Sequence, residues 1–481
     1  MDRLEAELGV NTKNAETTTH ARAEACADVR NAVSMAAMNM LMVPKSNPHI
    51  ILNVDATQFT VGDAMKKQRV KFTGKPKGPL KATPVEGEGG LTCMFIKFYC
   101  TINAAGQVAK PIYIVDSPHM PAGEIDVHEV AGLGIGSGTD TSGYVVYMHG
   151  RVPGKKFYVW YLREVLLKWV WALRQTFDIE DTVPAWFQLD GEAAQIAPFL
   201  EDIGIQQMLK EHNIVVGKPP ASTTEITQAL DKGPLFKTSK CKLLTIKESD
   251  VDEVMHGWLI KRLRDVYSAH GQNVADAGEE EGEEWAKIDA KHQKSGILGL
   301  VRCHMAVNDT FKPSFIQNSF KLTGIFPLHI GVMLSACTGD ITPLEELHIV
   351  TVALPRLRQL MLTQGQLFEK DFDTCGIRAA LKNRDGRVVY QRRACILTSI
   401  AFLQHEEDLE KAAEVAAEQR TVVAEEKRER GAAKKSVAAR RQVYNDAGMT
   451  PRQAAEKVRA EDLTAAAWMA VHPAPAEEGV V

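Results

Sequence analysis

No stretch of eighteen consecutive apolar residues occurs in the 481-residue chain, so no membrane-spanning helix is predicted. The opening Met1-Asp-Arg-Leu-Glu-Ala-Glu-Leu8 lacks the basic-then-apolar order of a secretory signal, and an intracellular protein is expected. Eight cysteines, at 26, 93, 100, 241, 303, 337, 375 and 395, include no Cys-x-x-Cys pair. That scatter argues against a disulfide framework and a zinc finger, leaving reduced core or surface thiols. Excess positive charge is also missing. The formal net charge is −4, whereas affinity for nucleic acid usually rests on neutralising phosphates, so any polyanion contact must come from local clusters. The run Gly132-Leu-Gly-Ile-Gly-Ser-Gly-Thr-Asp-Thr-Ser-Gly143 lacks the Gly-Lys-Ser/Thr ending and the Gly-x-Gly-x-x-Gly spacing of phosphate-binding loops. A flexible loop is expected there.

What is present suits a soluble globular protein: 45% hydrophobic and 25% charged, in a chain long enough for two or more regions. Residues 21–42 read as an Ala/Met-rich helix. Short apolar runs at 50–54, 91–103 and 108–115 read as strands, the last two flanking the hairpin signal Ala105-Gly106-Gln107. Residues 157–177 form a strong amphipathic pattern with Trp160, Tyr161, Leu166, Leu167, Trp169, Val170 and Leu173, a core-facing helix whose aromatics could also stack bases. A strand at 186–189, a helix at 195–210, a strand at 214–216 and a further helix follow. Five glutamates broken by glycines at 276–284 read as an acidic mobile loop. Beyond residue 328, Thr342-Pro343 with Glu345-Glu346 starts a Leu-rich helical pattern to about 372, and from 403 the chain becomes Ala/Glu/Lys/Arg-rich, with Thr450-Pro451 opening a last helix to about 471.

Two basic clusters stand out. Lys66, Lys67, Arg69, Lys71, Lys75, Lys77 and Lys81 face only Asp63 in a Gly/Pro-punctuated stretch, a candidate DNA-contact strip or else a solvated, lysine-protected edge. Lys427, Arg428, Arg430, Lys434, Lys435, Arg440 and Arg441 read as a nuclear-import or DNA-contact segment, or as a solvated helix face alternating with Glu425, Glu426 and Glu429.

Three aspartates occupy suggestive positions. Asp55 closes the apolar run in Ile50-Ile-Leu-Asn-Val-Asp55, and Asp190 closes Ala185-Trp-Phe-Gln-Leu-Asp190 ahead of Gly191. Asp231 follows the strand Ile214-Val-Val216 and Ser222-Thr-Thr-Glu225, which has the form of a capping box and would set Asp231 early on a helix. Carboxylates at the ends of buried strands are rigidly held yet face solvent, which suits hard divalent cations. Each alone reads more simply as an ordinary strand-end or turn residue.

Read as a set, they sit in segments that resemble the catalytic domain of pogo/Tigger-type transposases of the DDE superfamily. The phrase Lys218-Pro-Pro-Ala-Ser-Thr-Thr-Glu-Ile-Thr-Gln-Ala-Leu-Asp-Lys-Gly-Pro-Leu-Phe-Lys237 is similar to the segment carrying that family's third acidic residue. Asn53-Val-Asp-Ala-Thr-Gln-Phe59 and Leu189-Asp-Gly191 resemble its first and second motifs. Ser142-Gly-Tyr144 resembles a linking segment, and Ile316-Gln-Asn-Ser-Phe-Lys-Leu-Thr-Gly-Ile-Phe-Pro-Leu328 resembles the phrase that ends the domain. Departures are Ala56 in place of a usual Glu, Ala229 in place of a usual Pro, Glu192-Ala-Ala-Gln195 where a His is common, and a long interval from Asp190 to Asp231.

The resemblance implies an α/β, RNase H-like mixed sheet flanked by helices over residues 47–330. A helical segment at 1–46, a helical extension at 331–400 and a charged helical tail at 401–481 would complete the chain. The opening segment is too short for the helix-turn-helix head that precedes the domain in that family. The implied activity is DNA phosphodiester cleavage and strand transfer. Two Mg²⁺ (or Mn²⁺) ions on Asp55, Asp190 and Asp231 would lie roughly 3.5–4 Å apart, one activating water and one stabilising the leaving oxygen. Asp55 and Asp190 would flank the shared ion, with Asp231 completing the second. DNA, a possible homodimer and the nucleus are the implied partners and location. A catalytically decayed, domesticated nucleic-acid-binding protein of transposon origin is the alternative; a nuclease acting without transposition and a helical interaction protein are further ones.

Overall fold

A computed structural model describes residues 25–61, 94–117, 120–136, 141–150, 152–190, 192–246, 254–275, 296–337, 340–377 and 394–471. The seven cations at 66–81 and the acidic segment at 276–284 lie outside the described residues. The chain divides into two compact units, Met1–Leu403 and Gln404–Val481.

The first unit is an α/β structure built on one eight-stranded mixed sheet. Strands β1 (Ile51–Val61), β2 (Met94–Asn103) and β3 (Ile112–Asp116) form an antiparallel meander. A hairpin of β4 (Ile125–Ala131) and β5 (Ser142–Met148) extends it, β5 lying parallel to β3. On the other side, β6 (Ala185–Gln188) runs parallel to β1, β7 (Ile214–Lys218) parallel to β6, and the two-residue β8 (Cys395–Ile396) closes the edge antiparallel to β7. The order is β4-β5-β3-β2-β1-β6-β7-β8.

Side-chain alternation at period 2 gives each central strand two apolar faces. Ile51, Phe59, Phe98, Tyr113 and Trp186 join one core with helices Val29–Met42, Pro313–Thr323 and Leu354–Gln364. Leu52, Val54, Tyr99, Ile114 and Phe187 join a second core on the opposite face, covered by residues 155–177 and by helices Ala193–Glu201 and Ile203–Glu211. Residues 349–361, beyond the stretch resembling the transposase domain, therefore share a core with β1 and with helix Val29–Met42.

Several elements differ from the sequence expectation. The 157–177 helix is interrupted by a π-helical segment at Tyr161–Leu166; Phe157, Tyr158 and Tyr161 pack in the core with Trp160 and Trp169 against it, while Trp171 and Phe177 are exposed. The expected helix at 195–210 is two, because Pro198 lies within the first and the Asp202 carboxylate caps the second through Ile205 N–H. Part of the expected flexible loop at 132–143 is the β4–β5 turn, where Gly132 and Gly134 N–H both donate to Thr141 O and residues 142–143 already belong to β5. No helix of the described residues is long and apolar enough to cross a membrane.

The second unit contains most of helix Ile400–Asp446 and the helix Pro451–Val471. Arg440 pairs with Asp462, and Tyr444 donates a hydrogen bond to Glu461, joining the two helices.

Candidate active site

Register brings Asp55 and Asp190 together. In the parallel β1–β6 pair Asn53 stands opposite Gln188, so two residues further along each strand lie Asp55 and Asp190. Asp55 does not end its strand, as the apolar run suggested. It marks where β1 outruns its pairing with β6 and continues beside β2, with Cys100 as its partner. Period-2 alternation then points Asn53 and Asp55 to one face and Val54 to the other.

Asp231 arrives from a connector that is not one helix. The helix does not open at Ser222, whose φ of 62 is left-handed; it begins at Thr224, and the Thr223 hydroxyl donates to Pro220 O. The chain instead makes three short helices, Thr224–Thr227, Ala229–Lys232 and Leu235–Leu243, broken at Gln228, whose backbone is extended, and at Gly233-Pro234. Gly233 is required where it stands, since a Cβ there would fall 1.9 Å from Ser319 Oγ.

Buried polar groups fix this connector over the strand ends. Leu230 N–H donates to Asn53 Oδ1 at 3.1 Å, Asn53 Nδ2 to Gln188 O at 3.5 Å, and Gln188 Nε2 to Thr227 O at 2.9 Å. Asn53, Gln188, Thr227 and Gln228 are all buried. The Gln228 amide lies between the aspartates. In one orientation its Nε2 faces Asp190 Oδ1 at 3.4 Å. In the other it donates to Asp55 Oδ2 and its oxygen accepts from Asp190 N–H, both at 3.2 Å. The second orientation satisfies both amide ends with correct polarity and is therefore assigned to the side chain.

The three carboxylates differ in exposure. Asp55 is 8% exposed, Asp190 is half-buried and Asp231 is exposed. Burial first, then the negative charges of Asp231 and Asp190, push the Asp55 carboxyl well above the usual range; the Ala56 N–H lowers it, and a hydrogen bond with Asp231 raises it further. Burial disfavours ionisation of Cys100 and Tyr99, and the Asp55 charge adds to it. Beside Asp190, the Tyr158 hydroxyl donates to Glu192 Oε2 at 3.1 Å, and burial followed by that carboxylate's charge raises the phenol pKa. Glu192 is half-buried and precedes helix Ala193–Glu201.

The donor set is all oxygen, which suits Mg²⁺ or Mn²⁺ better than a softer ion. Among the described residues, however, no group of three or more His, Cys, Asp or Glu side chains is arranged to hold a metal ion. The carboxylates are near enough to repel one another without forming a closed ligand cage.

Sequence reasoning gave no role to Asn53, Gln188, Thr227 or Gln228. A signal existed: Asn53 and Gln188 are amides in the middle of buried apolar runs, at the same alternation as the aspartates two residues on, and a buried amide needs a specific partner. No protein-family model, curated protein or solved structure matches the chain.

Proposed function

We propose that the chain is a transposase-derived DDE-type endonuclease with an RNase H-like domain, cleaving DNA phosphodiester bonds and transferring strands at Asp55, Asp190 and Asp231. The observation that carries this reading is the approach of three like-charged side chains from three separate segments, Asp55 within β1 where its pairing with β6 stops, Asp190 just past β6 and Asp231 on the connector, at an electrostatic cost to Asp55. Mutual repulsion has a chemical rationale if the groups share cations. An antiparallel meander continued by parallel strands, with helices on both faces, supports the fold assignment. The exposed Asp231 leaves the site open on one side, as a polymeric substrate requires.

Asp55 and Asp190 would hold Mg²⁺ or Mn²⁺ between them, and Asp231 would complete a second position. Bound there, the ions supply an activated water and neutralise charge during in-line displacement. The protein's part is to present three ionised carboxylates in register, which requires Asp55 to lose its proton. DNA as partner, a homodimer and a nuclear location belong to the same proposal.

A second reading, a catalytically decayed nucleic-acid-binding protein, is favoured by Ala56 and Ala229 beside the site and by the lack of a closed ligand set among the described residues. Calorimetric titration of the protein with Mg²⁺ and Mn²⁺, beside a plasmid-nicking assay, separates the two. Metal binding and nicking that both fall at least about 100-fold in Asp190→Asn are expected, since loss of groups one shell further out already costs about 10–100-fold. DNA binding without metal binding or nicking would replace the first reading with the second.

A further inference from the structure

The Gln228 amide spans Asp55 on β1 and Asp190 just past β6, and its position is built rather than incidental. It is fully buried, and its backbone is extended, φ −105 and ψ 132, between two one-turn helices. That break aims its side chain back at β1 and β6. On either side the connector is pinned, Thr227 O by Gln188 Nε2 and Leu230 N–H by Asn53 Oδ1. A buried amide with no partner would cost about 1–3 kcal/mol, whereas here one end meets Asp55 Oδ2 and the other Asp190 N–H, each at 3.2 Å.

We propose that Gln228 is a positioning residue of the metal site: its amide NH₂ holds the Asp55 carboxylate, and its carbonyl holds the Asp190 backbone, at the separation from which both carboxylates engage a shared cation. The inference rests on the metal-ion reading of Asp55, Asp190 and Asp231. Gln228 touches neither substrate nor the reacting atoms in this role. It acts by holding Oδ2 of Asp55, whose Oδ1 already accepts from Ala56 N–H at 2.7 Å, and the place of Asp190, which lies beyond the last paired residue of β6. Outer groups that orient ligands in this way are worth about 10–100-fold in metal affinity. Side-chain length is decisive, because Asn at 228 would fall one methylene short of both partners.

The test compares the full chain with Gln228→Met, Gln228→Glu and Gln228→Asn, titrating Mg²⁺ and Mn²⁺ by calorimetry and recording thermal unfolding with and without metal. Met keeps the length and removes both hydrogen bonds; a metal Kd weaker by about 10–100-fold is expected, with the circular dichroism unchanged. Glu keeps the length but adds a charge to the cluster. It should lower the unfolding temperature of the metal-free protein and recover it on adding Mg²⁺, because the extra carboxylate is neutralised by the same ion. Asn should behave as Met does. A purely space-filling side chain would give the opposite pattern: Met equal to wild type in metal affinity, and a Glu defect that metal does not repair. That result overturns the inference while leaving the metal site standing. If the wild-type protein binds neither ion, the metal-site reading itself fails and the inference falls with it, so the two failures are told apart by the wild-type titration.

Discussion

A carboxyl group that is 8% exposed and faces two others is costly to ionise, and Asp55 bears that cost. Because its pKa in the folded chain lies well above the ordinary 3.8, the folded protein binds more protons than the unfolded one between the two values. The free energy of unfolding therefore falls as pH rises through that interval and stays at the lower level above it. Asp55→Asn removes the titrating group while keeping its shape. In chelator-containing buffer the variant should match the wild type at a pH of about 3.5, below the unperturbed carboxyl pKa, and exceed its unfolding temperature progressively as pH rises. Equal pH profiles for the two proteins would show that Asp55 does not carry the cost. With Mg²⁺ added the order should reverse at neutral pH, since a bound cation stabilises only the chain that retains the carboxylate. Metal affinity of the wild type should also increase with pH, because binding must displace the Asp55 proton.

The elements that carry the site were legible to different degrees. Strands β1, β2, β3, β6 and β7 follow from short apolar runs with clear stops, and both their faces are buried. β4 was hidden because Ile125-Asp-Val-His-Glu-Val130 is half polar and mostly half-buried, and β5 because its first residues look like the end of a glycine-rich loop. β8 has two residues, and its place depends on the distant β7, which no local pattern announces. The connector at 223–232 reads as one helix in the sequence because a capping-box pattern says nothing of a Thr223 hydroxyl already engaged with Pro220 O. Asp55, Asp190 and Asp231 were put forward as a set by their motifs, whereas Gln228 carried no signal, because its contacts join segments far apart in sequence.

Packing within these elements makes its own prediction. Trp186 on β6 is fully buried, its Nε1 donates to Asn39 Oδ1 at 3.2 Å, and its ring covers Gly217 on β7, where an added Cβ would fall 1.8 Å from the ring. Gly217→Ala should therefore push the indole out of its slot and destabilise the protein by about 1–3 kcal/mol, read as a lower denaturant midpoint. Gly431→Ala is the control. Gly431 lies in the long helix Ile400–Asp446 with nothing within 4 Å of an added Cβ, so the change should be neutral or stabilising by up to about 1 kcal/mol.

For the whole molecule, the proposed function has to be reconciled with a net charge of −4. A chain that is acidic overall can bind a polyanion only by segregating its cations, and two segments do so: residues 66–81 of the first unit and residues 427–441 of the second. In the second segment Lys427, Arg428, Lys434 and Lys435 are exposed, while Arg440 is engaged with Asp462 and Glu461. Duplex affinity falls with salt at a slope of about 0.9 per neutralised phosphate, so the slope reports how many phosphates the protein meets where affinity alone does not. Replacing Lys66, Lys67, Lys71 and Lys75 by Gln should reduce the slope by roughly 0.9 for each phosphate no longer neutralised, and should weaken nicking in parallel if that strip feeds DNA to the carboxylates. The same replacement at Lys427, Arg428, Lys434 and Lys435 should change the slope only if the second unit also touches DNA, and should leave metal binding at Asp55, Asp190 and Asp231 unchanged. Unaltered slopes in both sets would mean that neither segment meets phosphate, and the nucleic-acid reading would then lose its electrostatic basis.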